Sequence, residues 1–87
     1  MASIVRRAKE ASAKIRIVFR GSRYALIVDS FIRAEGPGGD KVEWSRAFGS
    51  LTPEKVMSSL PIEYIEVSSP NQSLVFKSLE ELMKWAL

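Results

Sequence analysis

The 87-residue sequence predicts an α+β domain, most simply a four-stranded antiparallel sheet of two hairpins with helices packed on one face. Three observations carry this. Two stretches alternate apolar and polar residues with period two around turn residues, and three segments carry apolar stripes at helical spacing behind capping signals. Only one linker-like tract, Gly36-Pro37-Gly38-Gly39, interrupts the chain, and no internal repeat appears. Residues 1–87 are therefore read as a single domain, with 1–12 as an N-terminal basic amphipathic helix or arm.

Within residues 3–12, Ile4, Val5, Ala8 and Ala11 share one helical stripe opposite Arg6, Arg7, Lys9 and Glu10. From Ala13 to Arg20, Ile15, Ile17 and Phe19 alternate with basic residues, and Gly21-Ser22 suits a two-residue type II′ turn. A returning strand from Arg23 to about Ile32 then sets Ile17 against Leu26 and Ile15 against Val28, so apolar residues meet on one face. A helix from Tyr24 to Ala34 competes with that strand but would have to hold several β-branched residues.

Asp40 with Glu43 forms a capping box, which predicts a helix over about 41–50 with Trp44, Ala47, Phe48 and Leu51 inward. Thr52-Pro53-Glu54 opens a second helix, ending before Pro61. Residues 62–68 and 73–77 form the second hairpin around Ser69-Pro70-Asn71-Gln72, pairing Val67 with Leu74 and Ile65 with Phe76. Ser78 and Glu81 cap a final helix whose inward stripe is Leu79, Leu82, Met83 and Ala86, with Trp85 at its boundary.

Composition bounds the chemistry. With neither cysteine nor histidine, thiolate and imidazole chemistry is absent; the Glu80-Glu81 pair suits the first turn of a helix, and Ser68-Ser69 lacks any base. No catalytic, cofactor-binding or metal-binding residues are assigned, and the chain is read as a non-enzyme. No apolar run approaches the ~18 residues of a membrane span and the N-terminus lacks the apolar core of a secretory signal, so the expectation is a cytoplasmic protein without a membrane partner. Asn71 and Gln72 are the only amides, a depletion that points to a heat-adapted source.

Charge is unevenly distributed. Residues 1–35 carry eight basic and three acidic side chains, and the rest carry five basic and seven acidic ones. On the predicted strands, Lys14, Arg16, Arg20, Arg23, Tyr64 and Lys77 fall on the face away from the core, with Phe31 and Arg33 joining if the second strand runs on in register. Val18, Ala25, Ile27 and Val75 form an apolar strip among them. Cations beside an apolar and aromatic strip suit single-stranded nucleic acid, because phosphates follow the cations and bases lie on the apolar surface. The candidate nucleic-acid-binding residues are Lys14, Arg16, Arg20, Arg23, Ile27, Phe31, Arg33, Tyr64 and Lys77.

Two other uses of that face remain open. It serves as a homodimer or partner interface without nucleic-acid activity, or the N-terminal helix covers it. On the nucleic-acid reading, Arg16→Glu with Arg20→Glu weakens binding and leaves the thermal midpoint nearly unchanged.

The strand Lys14-Ile15-Arg16-Ile17-Val18-Phe19-Arg20, the antiparallel hairpins and the closing Ser78-Leu79-Glu80-Glu81-Leu82 helix together resemble the small single-stranded DNA-binding proteins of thermophilic archaea, the ThermoDBP family. The resemblance is one of architecture and covers most of the chain. It implies a four-stranded sheet backed by a helix, a cleft of basic and apolar residues, and sequence-tolerant binding of single strands, DNA rather than RNA. The sequence has no heptads matching the C-terminal leucine zipper through which the family's namesake dimerises.

Overall fold

A computed structural model describes residues 2–87. Helix α1 (Ala2–Ala11) turns Ile4 and Ala8 inward and stops at Ser12. There the chain takes a left-handed φ of 51°, and the Ala13 N–H reaches back to the Ala8 carbonyl at 2.8 Å. This Schellman closure has serine where glycine is usual, and it swings the chain directly into β1 (Lys14–Phe19).

Strand β1 alternates as expected, and its register with β2 (Ala25–Val28) is the expected one, with Ile15 opposite Val28 and Ile17 opposite Leu26. The turn is of another kind. The Ser22 N–H bonds the Phe19 carbonyl at 3.3 Å and Gly21 has φ 77°, which makes Gly21 the third residue of a type II turn. Ser22 Oγ then accepts the Tyr24 N–H at 3.1 Å, fixing the entry to β2.

The segment from Arg23 to Ile32 is not one strand. It breaks at Asp29, whose side chain accepts the Phe31 N–H at 3.3 Å, and returns as β3 (Ile32–Glu35) paired against β2. An Asx turn outcompetes continued extension here. Nor does a helix start at Lys41. The glycine loop is a hairpin turn: the Gly36 N–H bonds the Asp40 carbonyl at 2.8 Å, Gly39 has φ 82°, and Lys41–Val42 form β4 against β3. Helix α2 is confined to Trp44–Phe48, and Glu43 caps it through no side-chain hydrogen bond. The sheet thus has six antiparallel strands rather than four, in the order β4-β3-β2-β1-β5-β6.

The second half follows the sequence signals closely. Thr52 caps α3 (Pro53–Ser59) by accepting the Lys55 N–H, and Ser78 caps α4 (Leu79–Ala86) by accepting that of Glu81. Strands β5 (Ile62–Ser68) and β6 (Ser73–Phe76) pair Val67 with Leu74 and Ile65 with Phe76. Central strand β1 also pairs with β5, with a register shift that sets Val18 opposite Tyr64 but Phe19 opposite Ile62. One extra residue in β5, Glu63, is taken up there as a bulge, which lets Ile62 share the core side with Phe19.

All four helices load the same side. Ile4, Ala8, Phe48, Val56, Met57, Leu82 and Ala86 join Ile15, Ile17, Phe19, Leu26, Val28, Ile65 and Val67 in one buried cluster. Phe19 packs edge-on against Phe48 with ring centroids 5.9 Å apart. Across the helix layer, the Arg7 guanidinium lies 4.9 Å above the Trp85 ring, tying α1 to α4. Because Ile4 and Ala8 belong to this cluster, α1 does not cover the opposite sheet face.

Candidate nucleic-acid interface

Strand register lays out the helix-free face in rows. One row runs Arg33, Ile27, Arg16, Glu66, Val75 from β3 to β6. The next runs Lys41, Glu35, Ala25, Val18, Tyr64 from β4 to β5. Arg33 therefore reaches the predicted face, but on a third strand rather than on an extension of the second.

The apolar strip is not an open platform. Ile27 is 0% exposed and Ala25 is also buried, although no helix lies over them. Ile27 has an arginine on either side in its row, Arg16 and Arg33, whose aliphatic stems supply cover that a period-two pattern does not reveal. Ile27 is therefore a packed residue with no surface to offer a base. Val18 and Tyr64 are half-buried, while Phe31 (54% exposed), in the β2–β3 turn, and Val75 (58%), on the edge strand β6, stand out into solvent.

Charge on this face is largely spent internally. Glu35, only 6% exposed, is held by Lys14 Nζ at 3.2 Å and Arg16 Nε at 3.7 Å, and Arg16 also reaches Glu66 at 3.4 Å. Arg33 donates to both Asp29 carboxylate oxygens at 2.9 Å and lies 5.0 Å over the Phe31 ring. Three of the nine expected site residues are thus the counter-ions of carboxylates on their own sheet.

The Asp29 carboxyl responds to this setting. Burial alone would raise its pKa, but the Arg33 hydrogen bond, the Phe31 N–H, the Arg33 charge and the Ser30 N–H together outweigh burial and hold it below its ordinary value. A depressed folded pKa gives stability that is complete above the unfolded pKa, about pH 4, and is lost as pH falls through the lower folded value. Asp29→Asn should therefore have a lower thermal midpoint than the parent at neutral pH, with the gap closing on acidification below about pH 4. A gap that is constant from neutral to strongly acidic pH would rule out this role.

The remaining expected cations make no such pairs. Arg20 and Arg23, in the β1–β2 loop, and Lys77, after β6, are exposed and make no ion pair among the described residues. Arg23 lines a cleft of about 430 Å³ with Tyr24, Pro37, Asp40, Lys41, Glu43 and Arg46 at one end of the sheet. The sequence does not bring Lys41 and Arg46 to this cleft, because the Asp40/Glu43 pattern assigns that stretch to a helix instead of a hairpin. A wider cleft of about 600 Å³ at the other end is lined by Lys9, Lys14, Asp29 and the hydroxyls of Ser12, Ser30, Ser68 and Ser69.

Among the described residues no cluster of three or more carboxylates could hold a metal ion, and no helix is long and apolar enough to cross a membrane. Comparison with protein-family models, with curated proteins and with solved structures finds no match to this chain.

Proposed function

We propose that the protein is a non-enzymatic, sequence-tolerant binder of single-stranded nucleic acid, DNA before RNA. It would engage the strand from the Arg20–Arg23 loop and the adjoining cleft rather than from the middle of the sheet. The observation that carries this reading is the convergence of Arg23, Lys41 and Arg46 beside the half-buried Tyr24 ring. None of these cations is paired with a carboxylate within 4 Å among the described residues, so their charge is available to phosphates. Asp40 and Glu43 in the same cleft temper the field, which favours a flexible single strand able to route its phosphates past them. Duplex reading is less well supported, since Arg7 on α1 is engaged over the Trp85 ring, leaving only Arg6 and Lys9 on its exposed face, short of the concentrated basic face of a major-groove reader.

Fluorescence anisotropy with a labelled oligonucleotide tests the proposal. Binding should tighten as salt is lowered, with a log–log slope of about −0.7 per phosphate neutralised, and a single strand should compete better than a duplex. Absence of binding at low salt, or an affinity indifferent to salt, would refute it.

A further inference from the structure

We propose that the protein forms a homodimer by pairing the edge strand β6 with its copy, antiparallel and with Val75 on the two-fold axis, joining two six-stranded sheets into one. This proposal stands apart from nucleic-acid binding.

The two sheet edges differ. Strand β4 is only two residues long and carries Lys41, both features that blunt an edge. Strand β6, at four residues, is twice as long, and the first charge after it is Lys77, just past its end. Ser73–Phe76 contains no proline and no charge, and its register against β5 is unbroken from Ser73 to Phe76. At its centre Val75 is 58% exposed.

Geometry selects one register. The Ser69 N–H donates to the Gln72 carbonyl at 2.9 Å, so Gln72 directs its main-chain groups toward β5. Antiparallel alternation then turns those of Leu74 and Phe76 toward β5 and those of Ser73, Val75 and Lys77 toward the open edge. A two-fold axis placed between residues would oppose the helix-bearing face of one copy to the bare face of the other. An axis on Leu74 or Phe76 would bring together main-chain groups already bonded to β5. An axis on Ser73 would run the partner strand into the Pro70-Asn71 turn. Val75 satisfies every condition.

With Val75 on the axis, the two Val75 residues exchange N–H and carbonyl in the hydrogen-bonded pairing. Ser73 N–H faces the Lys77 carbonyl of the second copy on either side, while the Lys77 N–H stays with Glu81 Oε1 at 3.3 Å. Leu74, half-buried, lies opposite Phe76 of the second copy on the helix side, so each core gains an apolar neighbour. The exposed Val75 side chain is covered by its twin. Both helix-free faces then point the same way.

The native chain has no cysteine, so an introduced thiol reports without interference. Residues in a hydrogen-bonded antiparallel pair have Cα atoms about 5.5 Å apart, within disulfide reach. Under mild oxidation Val75→Cys should become a disulfide-linked dimer, whereas Lys41→Cys on the opposite edge should stay monomeric. Light scattering of the native chain should give a dimer mass at high concentration. Val75→Pro, which removes only an outward N–H, and Val75→Glu, which opposes like charges, should both give monomers with unchanged far-ultraviolet circular dichroism. Should Val75→Pro fail to fold, Val75→Glu decides alone. A native chain monomeric at every accessible concentration, equal cross-linking at Lys41→Cys, or a dimer that survives the Val75 variants would overturn the proposal. None of these measurements includes nucleic acid, so their outcome is separable from that of the binding experiment.

Discussion

Replacing Arg16 with glutamate is expected to lower the thermal midpoint steeply, rather than leave it untouched as a solvated strand position would. Arg16 Nε lies 3.7 Å from Glu35, which is 6% exposed, and its guanidinium also meets Glu66. The substitution would place a third carboxylate between those two. Breaking a fully buried ion pair costs about 3–5 kcal/mol, but the Arg16 side chain is 30% exposed and Lys14 remains beside Glu35, so a smaller loss, about 1–2 kcal/mol, is expected. For a domain of this size that is a fall of roughly 4–16 °C. Arg16→Gln should cost less, since it removes an attraction without adding a repulsion. Glu35→Gln in the Arg16→Glu background should recover part of the loss. A parent-like midpoint in circular dichroism melts of Arg16→Glu would show that Glu35 does not depend on Arg16.

The largest effect on binding is expected from Arg20→Glu combined with Arg23→Glu. Both side chains are exposed, neither has an ion-pair partner among the described residues, and they flank Gly21 in a loop that delivers Arg23 to the cleft of Lys41 and Arg46. Losing two phosphate contacts to a single strand lowers the log–log salt slope by about 1.4 and weakens binding on the order of a hundredfold near 50 mM salt. Stability should move by no more than about 0.5 kcal/mol, the usual range for surface substitutions. A charge-matched control, Arg6→Glu with Lys55→Glu, alters exposed positions on α1 and α3 by the same amount. If that control loses as much affinity, attraction comes from net charge alone and the cleft has no special part in it.

These two expectations differ because the sequence states which way a strand residue points but not what its neighbours do with its charge. Arg16 and Arg20 look alike in Lys14-Ile15-Arg16-Ile17-Val18-Phe19-Arg20, yet one neutralises a buried glutamate and the other is free. Glu35 arrives through β3, and that strand is four residues long, too short for periodicity to announce it. The turn creating β3 rests on one side chain, Asp29, and the hairpin that brings in Lys41 rests on a glycine loop followed by a false capping box. Where an apolar stripe was long or a cap was genuine, as in β1, β5, α3 and α4, boundaries and register were legible. Ile27 shows the complementary limit: its direction was readable, whereas its burial depends on arginine stems from two neighbouring strands.

The place of β1 in the sheet has a consequence for synthesis. Residues 14–42 can assemble as a local meander of four strands, but β1 is then an edge, and its permanent partner β5 lies far along the chain, at Ile62–Ser68. Until β5 has been made, Ile15, Ile17 and Phe19 belong to a bare, strongly β-forming strand, the kind that seeds aggregation between nascent chains. Lys14, Arg16 and Arg20 punctuate that strand with positive charge at nearly every second position, so two such edges repel one another. The basic residues of β1 are thus placed to act as gatekeepers on an edge that stays open until β5 has been made.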